Sequence, residues 1–217
     1  MKILLSILCF LTMGLNSLLG QSEQDLIIDF SEIDSLQYIA YKKEFSNKLI
    51  IDSTKKTIPD SSFSLIIKNT EQLFDCQKDN SDCHYYKGFL PQLSSFIITH
   101  CGMSICETFL IDQTSGEIQN LLSPYDNECK APVLSKNHNK LLVYASSVFD
   151  RESFISIYQK SGKNEDFDFK SYKSLTIKEW RIYEVIWINN TSFALITFDK
   201  YGGKTGSEAL NVKYIKG

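Results

Sequence analysis

Val133-Leu134-Ser135-Lys136-Asn137-His138-Asn139-Lys140-Leu141-Leu142-Val143-Tyr144 aligns without gaps, at an offset of 52 residues, with Val185-Ile186-Trp187-Ile188-Asn189-Asn190-Thr191-Ser192-Phe193-Ala194-Leu195-Ile196. Each copy is an apolar pair, an Asn-containing polar turn and an apolar run. Each is followed by a polar loop and a further apolar run, Phe154 to Tyr158 in one and Leu210 to Ile215 in the other. Short runs of β-branched and aromatic residues bounded by Asn, Asp, Ser and Gly read as antiparallel strands, because such side chains pack well on a pleated surface.

The same pattern extends outward. Ser64-Leu65-Ile66-Ile67, Phe96-Ile97-Ile98-Thr99 and Thr108-Phe109-Leu110-Ile111 are further candidate strands. Asp112-Gln113-Thr114-Ser115-Gly116 is the clearest tight connection between two of them. Ser95 to Ile118 resembles the second half of the repeated unit. Repeats of this size, built from successive antiparallel strands, have the form of propeller blades. The expected fold is therefore all-β: an antiparallel meander with propeller-blade-like repeats, an incomplete or small propeller-like domain. Leu36-Gln37-Tyr38-Ile39-Ala40-Tyr41 fits strand by its aromatic and β-branched content, with an amphipathic helix over Glu32 to Phe45 as the alternative. Residues 161–171 are polar and read as an exposed loop.

The chain opens with Lys2, a nearly unbroken apolar run from Ile3 to Leu11 and a weaker one through Leu19. A positive charge, an apolar stretch and a small residue at its end make a secretory signal, residues 1–20. Retention as an anchor and lipidation at Cys9 are the alternatives. No later stretch is apolar and long enough to span a bilayer. Residues 21–217 are expected to form one β-rich domain, exported to the periplasm or the extracellular space. Removing residues 1–20 takes away one Lys and no acid. That leaves 22 basic and 26 acidic side chains, a balance of −4. With no basic block, nucleic acid is not an expected partner.

Cys76, Cys83, Cys101, Cys106 and Cys129 remain. In an oxidising compartment they read first as disulfide partners. Cys76 and Cys83 flank a polar loop, and Cys101 and Cys106 flank Gly102-Met103-Ser104-Ile105, so both spacings allow local bridges. Cys129 is then left over, although spacing alone lets it pair with any of the other four. The dipeptides Cys83-His84 and His100-Cys101 also offer zinc ligands. Thiols of an exported chain oxidise, and the spacing matches no standard finger, so no metal is expected.

Phe96-Ile97-Ile98-Thr99-His100-Cys101-Gly102, then Cys106, then Phe109-Leu110-Ile111-Asp112 and Gly116, resembles segments of small uncharacterised exported bacterial proteins. Their shared outline is a strand, a Cys-Gly…Cys loop, a strand ending in Asp, and a turn closing on Gly. The resemblance implies an exported β-rich protein and carries no activity.

No motif for catalysis stands out. Gly203-Lys204-Thr205 is the tail of a phosphate loop whose first glycine is replaced by Phe198. No Gly-x-Ser-x-Gly elbow occurs. Acidic neighbours, Asp126 and Glu128, disfavour a thiolate at Cys129. Asp79, Asn80 and Asp82, and Glu165, Asp166 and Asp168, lack the full calcium-loop pattern. Tyr85-Tyr86 with Trp180, Tyr183 and Trp187 offer either core or a ligand platform. Asn189 and Asn190 each begin a formal glycosylation triplet. The reading is a binding or interaction module of the cell envelope, without a cofactor, meeting a protein or glycan partner. The alternative is an exported hydrolase whose site is assembled from dispersed His and acidic residues, with His84, His100 and the acidic residues near them as the candidates.

Overall fold

The computed structural model describes residues 28–45, 49–52, 62–76, 82–102, 105–123, 129–147, 152–161, 167–178, 180–199 and 212–217. The expected signal, the Gly203-Lys204-Thr205 stretch, Asp79, Asn80, Asp126, Glu128, Glu165 and Asp166 lie outside them. The protein is all-β with antiparallel sheets. In chain order come β1 (Ser31–Ile33), α1 (Ser35–Glu44), β2 (Phe63–Ile67) and β3 (Thr70–Phe74). Sheet I follows: β4 (Asp82–Leu90), β5 (Ser95–Gly102), β6 (Ile105–Asp112) and β7 (Ile118–Leu121). Sheet II is β8 (Val133–Leu134), β9 (Lys140–Ser146), β10 (Ser153–Lys160) and β11 (Phe169–Ile177). Sheet III is β12 (Trp180–Trp187), β13 (Phe193–Asp199) and β14 (Val212–Lys216), completed by β1 at its edge.

Period-two alternation explains how the sheets stack. In β9, Leu141, Val143 and Ala145 join the core shared with Leu90, Ile97 and Leu110 of sheet I. Their neighbours Leu142 and Tyr144 join the core shared with Val185, Trp187 and Leu195 of sheet III. At β9 and β10 sheet II is thus buried on both faces, which is why these two strands read as nearly continuous apolar runs, whereas its edge strand β11 is polar and mostly exposed. The outer faces of the stack are covered as well. Phe63, Leu65 and Ile67 of the β2–β3 hairpin pack on Phe96, Ile98 and Ile111 of sheet I. Tyr38 of α1 packs on Ile186 and Ala194 of sheet III.

The repeat recognised in the sequence is a structural repeat in the turns preceding β9 and β13. Asn137 and Asn189 occupy equivalent places in them. Asn137 Oδ1 accepts from the Asn139 backbone N–H at 3.2 Å, and Asn189 Oδ1 accepts from the Thr191 N–H at 2.8 Å. Both are Asx turns, in which a short polar side chain replaces a backbone acceptor. The two turns also meet, because the Asn137 N–H donates to Asn190 Oδ1 at 2.9 Å.

Two expectations are corrected. Residues 35–44 are helix, where strand was favoured. Asp34 caps the helix by accepting from the Gln37 N–H at 2.8 Å, and Gln37 Oε1 accepts from the Asp34 N–H at 3.3 Å. This reciprocal capping box, with Lys42 and Lys43 in the last turn, outweighs the modest strand preference of Tyr38 and Ile39. The aromatic content that suggested a strand serves packing: Tyr38 is buried, and its hydroxyl donates to Glu184 Oε2 at 2.9 Å. Second, the loop expected over 161–171 ends early. Phe167 and Phe169 are buried between sheets I and II, and β11 begins at Phe169. Two buried rings outweigh the polar residues around them.

A pair of serines ties sheet II to sheet III. Ser153 Oγ donates to the Trp180 carbonyl at 2.8 Å and accepts from the Ile182 N–H at 3.1 Å. Ser146 Oγ lies 2.7 Å from Ser153 Oγ and 3.0 Å from the same Ile182 nitrogen. These bonds satisfy backbone groups beside the register shift that interrupts the β12–β13 ladder. Ser153→Ala leaves the part-buried Trp180 carbonyl without this donor. The expected cost is about 2 kcal/mol, read as a lower urea midpoint at unchanged slope.

Candidate functional site

One end of sheet I gathers the chemistry-bearing residues that are scattered in the sequence. Antiparallel register places Cys76, Cys83, Cys101 and Cys106 in a single row, as the successive pairs Cys76–Cys83, Cys83–Cys101 and Cys101–Cys106. Cys76 and Cys83 stand at disulfide distance with Cα atoms 4.1 Å apart. Cys101 and Cys106 do so with Cα atoms 4.0 Å apart. The row beside it is His84, His100 and Glu107. Successive strand residues point to opposite faces. The Cys row therefore belongs to the face shared with Ile97 and Leu110, and the His row to the face shared with Ile98 and Ile111. This alternation overturns the combined Cys/His zinc reading, because the two residues of each dipeptide diverge.

On the hairpin face the two imidazoles meet. Their centroids are 4.6 Å apart and the rings are 22° from parallel. Phe74 of β3 stands edge-on to His84 at 5.6 Å and stacks on Phe63 at 5.1 Å. The imidazole pair is thus the exposed end of an aromatic column that continues into the core. Asp82 Oδ1 lies 2.5 Å from His100 Nε2. An ionised carboxylate only accepts, so Nε2 is the donor in this contact. His84 Nδ1 lies 3.4 Å from the Asp75 carbonyl oxygen, which likewise only accepts. Solvent reaches this face, since the His100 and Asp82 side chains are 35% and 45% exposed.

Beside the Cys101–Cys106 pair is a cleft of about 120 Å³. Ile105, Cys106, Glu107 and Thr108 of β6 form one wall, and Asn120 to Ser123 form the other. Ile105 and Leu122 at its rim are 51% and 69% exposed.

The remaining candidates stand elsewhere. His138 sits in the turn before β9, with φ 58°, its N–H donating to the Ser135 carbonyl. Cys129 is buried and belongs to neither cysteine pair; its thiol donates to the Leu121 carbonyl at 3.7 Å. Asp168 is held by Ser161 and by Lys170, the latter at 3.7 Å. The aromatic platform does not assemble. Tyr86 and Trp187 are core residues, Trp180 packs edge-on to Phe30 at 5.7 Å, and Tyr183 is exposed. Tyr85 lies under the Lys87 ammonium at 5.7 Å. Among the described residues no three His, Cys, Asp or Glu side chains form a ready-made metal group, and no helix is long and apolar enough to cross a membrane.

Sequence reasoning missed Phe74, Asp82 as the histidine's partner, and Glu107. The signal was present in the mirrored order of Cys83-His84 and His100-Cys101. Antiparallel pairing of either residue of one dipeptide with its like in the other forces both pairs into register.

In comparison with known proteins, the chain matches no family model, no curated protein and no solved structure.

Proposed function

We propose that the protein is an exported binding module of the cell envelope, and that the cleft end of sheet I meets a protein partner. The observation that carries this reading is the rim of Ile105 and Leu122 around a small cleft with polar groups from Glu107, Thr108 and Asn120. Apolar side chains at this exposure cost solubility and reward a partner that covers them. The cleft is sized for one partner side chain. The cysteine pair beside it holds the strand ends in place, which lowers the ordering cost of binding. Two cysteine pairs at disulfide distance are compatible with export.

The architecture supports an incomplete propeller. Three four-stranded meanders follow one another face to face, and the N-terminal strand completes the last. Edge ends and loops of such stacked sheets are the surfaces that remain for recognition.

The test is retention of proteins from the envelope fraction of the exporting cells. Wild type is compared with a double variant, Ile105→Glu with Leu122→Glu. Both sites are exposed, so the fold should persist. A protein held by wild type and lost from the variant is expected. No reproducible retention, or equal retention by both, would overturn the reading.

The Asp82–His100 pair gives the hydrolase reading its one specific support, since a carboxylate can orient a catalytic imidazole. Against it, no serine, threonine or cysteine nucleophile bonds to His100 among the described residues. A hydrolase screen that finds an activity abolished by His100→Ala would restore it.

A further inference from the structure

We propose that Cys76, Cys83, Cys101 and Cys106 form a thiol–disulfide relay, which oxidises a thiol arriving at Cys106 and delivers a reduced sulfur at Cys76. The row itself carries this inference. Antiparallel register sets the four cysteines side by side across β4, β5 and β6, with Cys76 beside β4. Two of the three neighbouring pairs, Cys76–Cys83 and Cys101–Cys106, stand at disulfide distance. The third, Cys83–Cys101, joins them. The His84 N–H donates to the Asp75 carbonyl, so Cys76–Cys83 is a non-hydrogen-bonded pair of the ladder and the backbone groups of Cys83 face Cys101. Hydrogen-bonded pairs of this kind have Cα atoms about 5.5 Å apart. That lies inside the span of roughly 4.4–6.8 Å that a disulfide bridges.

Exposure gives the row two ends. Cys83 in its middle is fully buried, whereas Cys106 at one end and Cys76 at the other are half-buried. The cleft beside β6 is lined by Cys106 and opens that end to a small thiol. The relay needs this access and does not rest on a protein covering the rim of the cleft. A purely stapling role is poorly rewarded here. The pairs are separated by 7 and 5 residues, and the chain-entropy gain of a cross-link is smallest for short loops.

Thiol–disulfide exchange is a displacement in which a thiolate attacks one sulfur and the other leaves. Four cysteines in one row keep attacking, attacked and leaving sulfurs in that order at each step. The substrate thiolate bonds to Cys106 Sγ, the Cys101–Cys106 bond breaks, and Cys101 leaves as a thiolate. Cys101 then bonds to Cys83 Sγ, the Cys76–Cys83 bond breaks, and Cys76 takes up the proton the substrate released. A second substrate thiolate bonds to the first substrate sulfur and frees Cys106, which takes up the second proton. Two thiols have become one disulfide. The protein has gained two electrons, held as thiols at Cys76 and Cys106, and keeps a Cys83–Cys101 bond.

The experiment uses the full chain with its cysteines oxidised and reduced glutathione as the substrate thiol, in slight excess near neutral pH. Acid quenching, alkylation and peptide mass mapping then locate every sulfur. A Cys83–Cys101 link, an alkylated Cys76 and glutathione on Cys106 are expected. In the double variant Cys76→Ser with Cys83→Ser the relay has no acceptor. Cys101 then returns to Cys106 and expels glutathione, so the Cys106 adduct should be lost. Wild-type protein that keeps both outer pairs, or that is reduced without forming the Cys83–Cys101 link, would overturn the proposal. An undiminished Cys106 adduct in the folded double variant would do so too. Circular dichroism checks its fold; should it fail to fold, the wild-type map decides the matter.

Discussion

Trp187→Ala is expected to cost about 4 kcal/mol of folding stability, a large part of the roughly 5–15 kcal/mol a domain possesses. Trp187 is 1% exposed at the end of β12, in the core between sheets II and III. Its ring meets Phe193 edge-on at 5.8 Å. Its indole N–H donates to the Val133 carbonyl at 2.8 Å, joining equivalent strands of two repeats. Truncation therefore removes packing on both sheets and strips a buried carbonyl of its donor. Trp187→Phe keeps much of the apolar contact and loses the hydrogen bond, so about half the penalty should remain. Urea unfolding followed by far-ultraviolet circular dichroism reads both. A loss below about 1 kcal/mol for the alanine variant would show that the two sheets do not pack around this residue.

Alkaline pH should unfold the protein through Tyr144. Burial, then the negative charge of Glu184, pushes its hydroxyl up to about 12 from the ordinary 10.0. The unfolded chain releases this proton as pH passes 10, while the folded chain holds it until about 12. Folded protein therefore binds more protons across that window, and stability falls as pH rises through it. The stabilisation is complete below pH 10 and is lost by about pH 12, a change of about 3 kcal/mol for two pH units. Burial also raises Tyr86 and Tyr158, which act in the same direction. Tyr144→Phe gives a crossing test. Near neutrality the variant lacks the tyrosine's hydrogen bond with Val185 and should be the less stable protein. At pH 12 it has no proton to lose and should be the more stable one. Parallel curves over the whole range would refute the assignment.

The strand runs were legible because their signal is local. Ser64 to Ile67, Phe96 to Thr99 and Phe193 to Phe198 each lie within a strand. The offset repeat was legible for the same reason, since the Asx turns of Asn137 and Asn189 need only residues two positions away. The helix was legible too, in the Asp34-x-x-Gln37 box, but strand-forming side chains outvoted it. Phe167 and Phe169 looked like loop because nothing in a polar stretch says that another sheet will cover two of its rings.

The candidate site was written in the sequence only as ingredients. Local cysteine spacing allowed the Cys76–Cys83 and Cys101–Cys106 pairs without fixing them, and residue types determined that strands would form. Register and facing were decided by tertiary structure. They set His84 on His100, turned the cysteines to the other face, and sent Trp187 inward while Tyr183 stayed outside. Hydrophobic periodicity is a property of neighbours along the chain, whereas facing depends on which sheet finally covers a strand, a choice made by burial across the whole molecule.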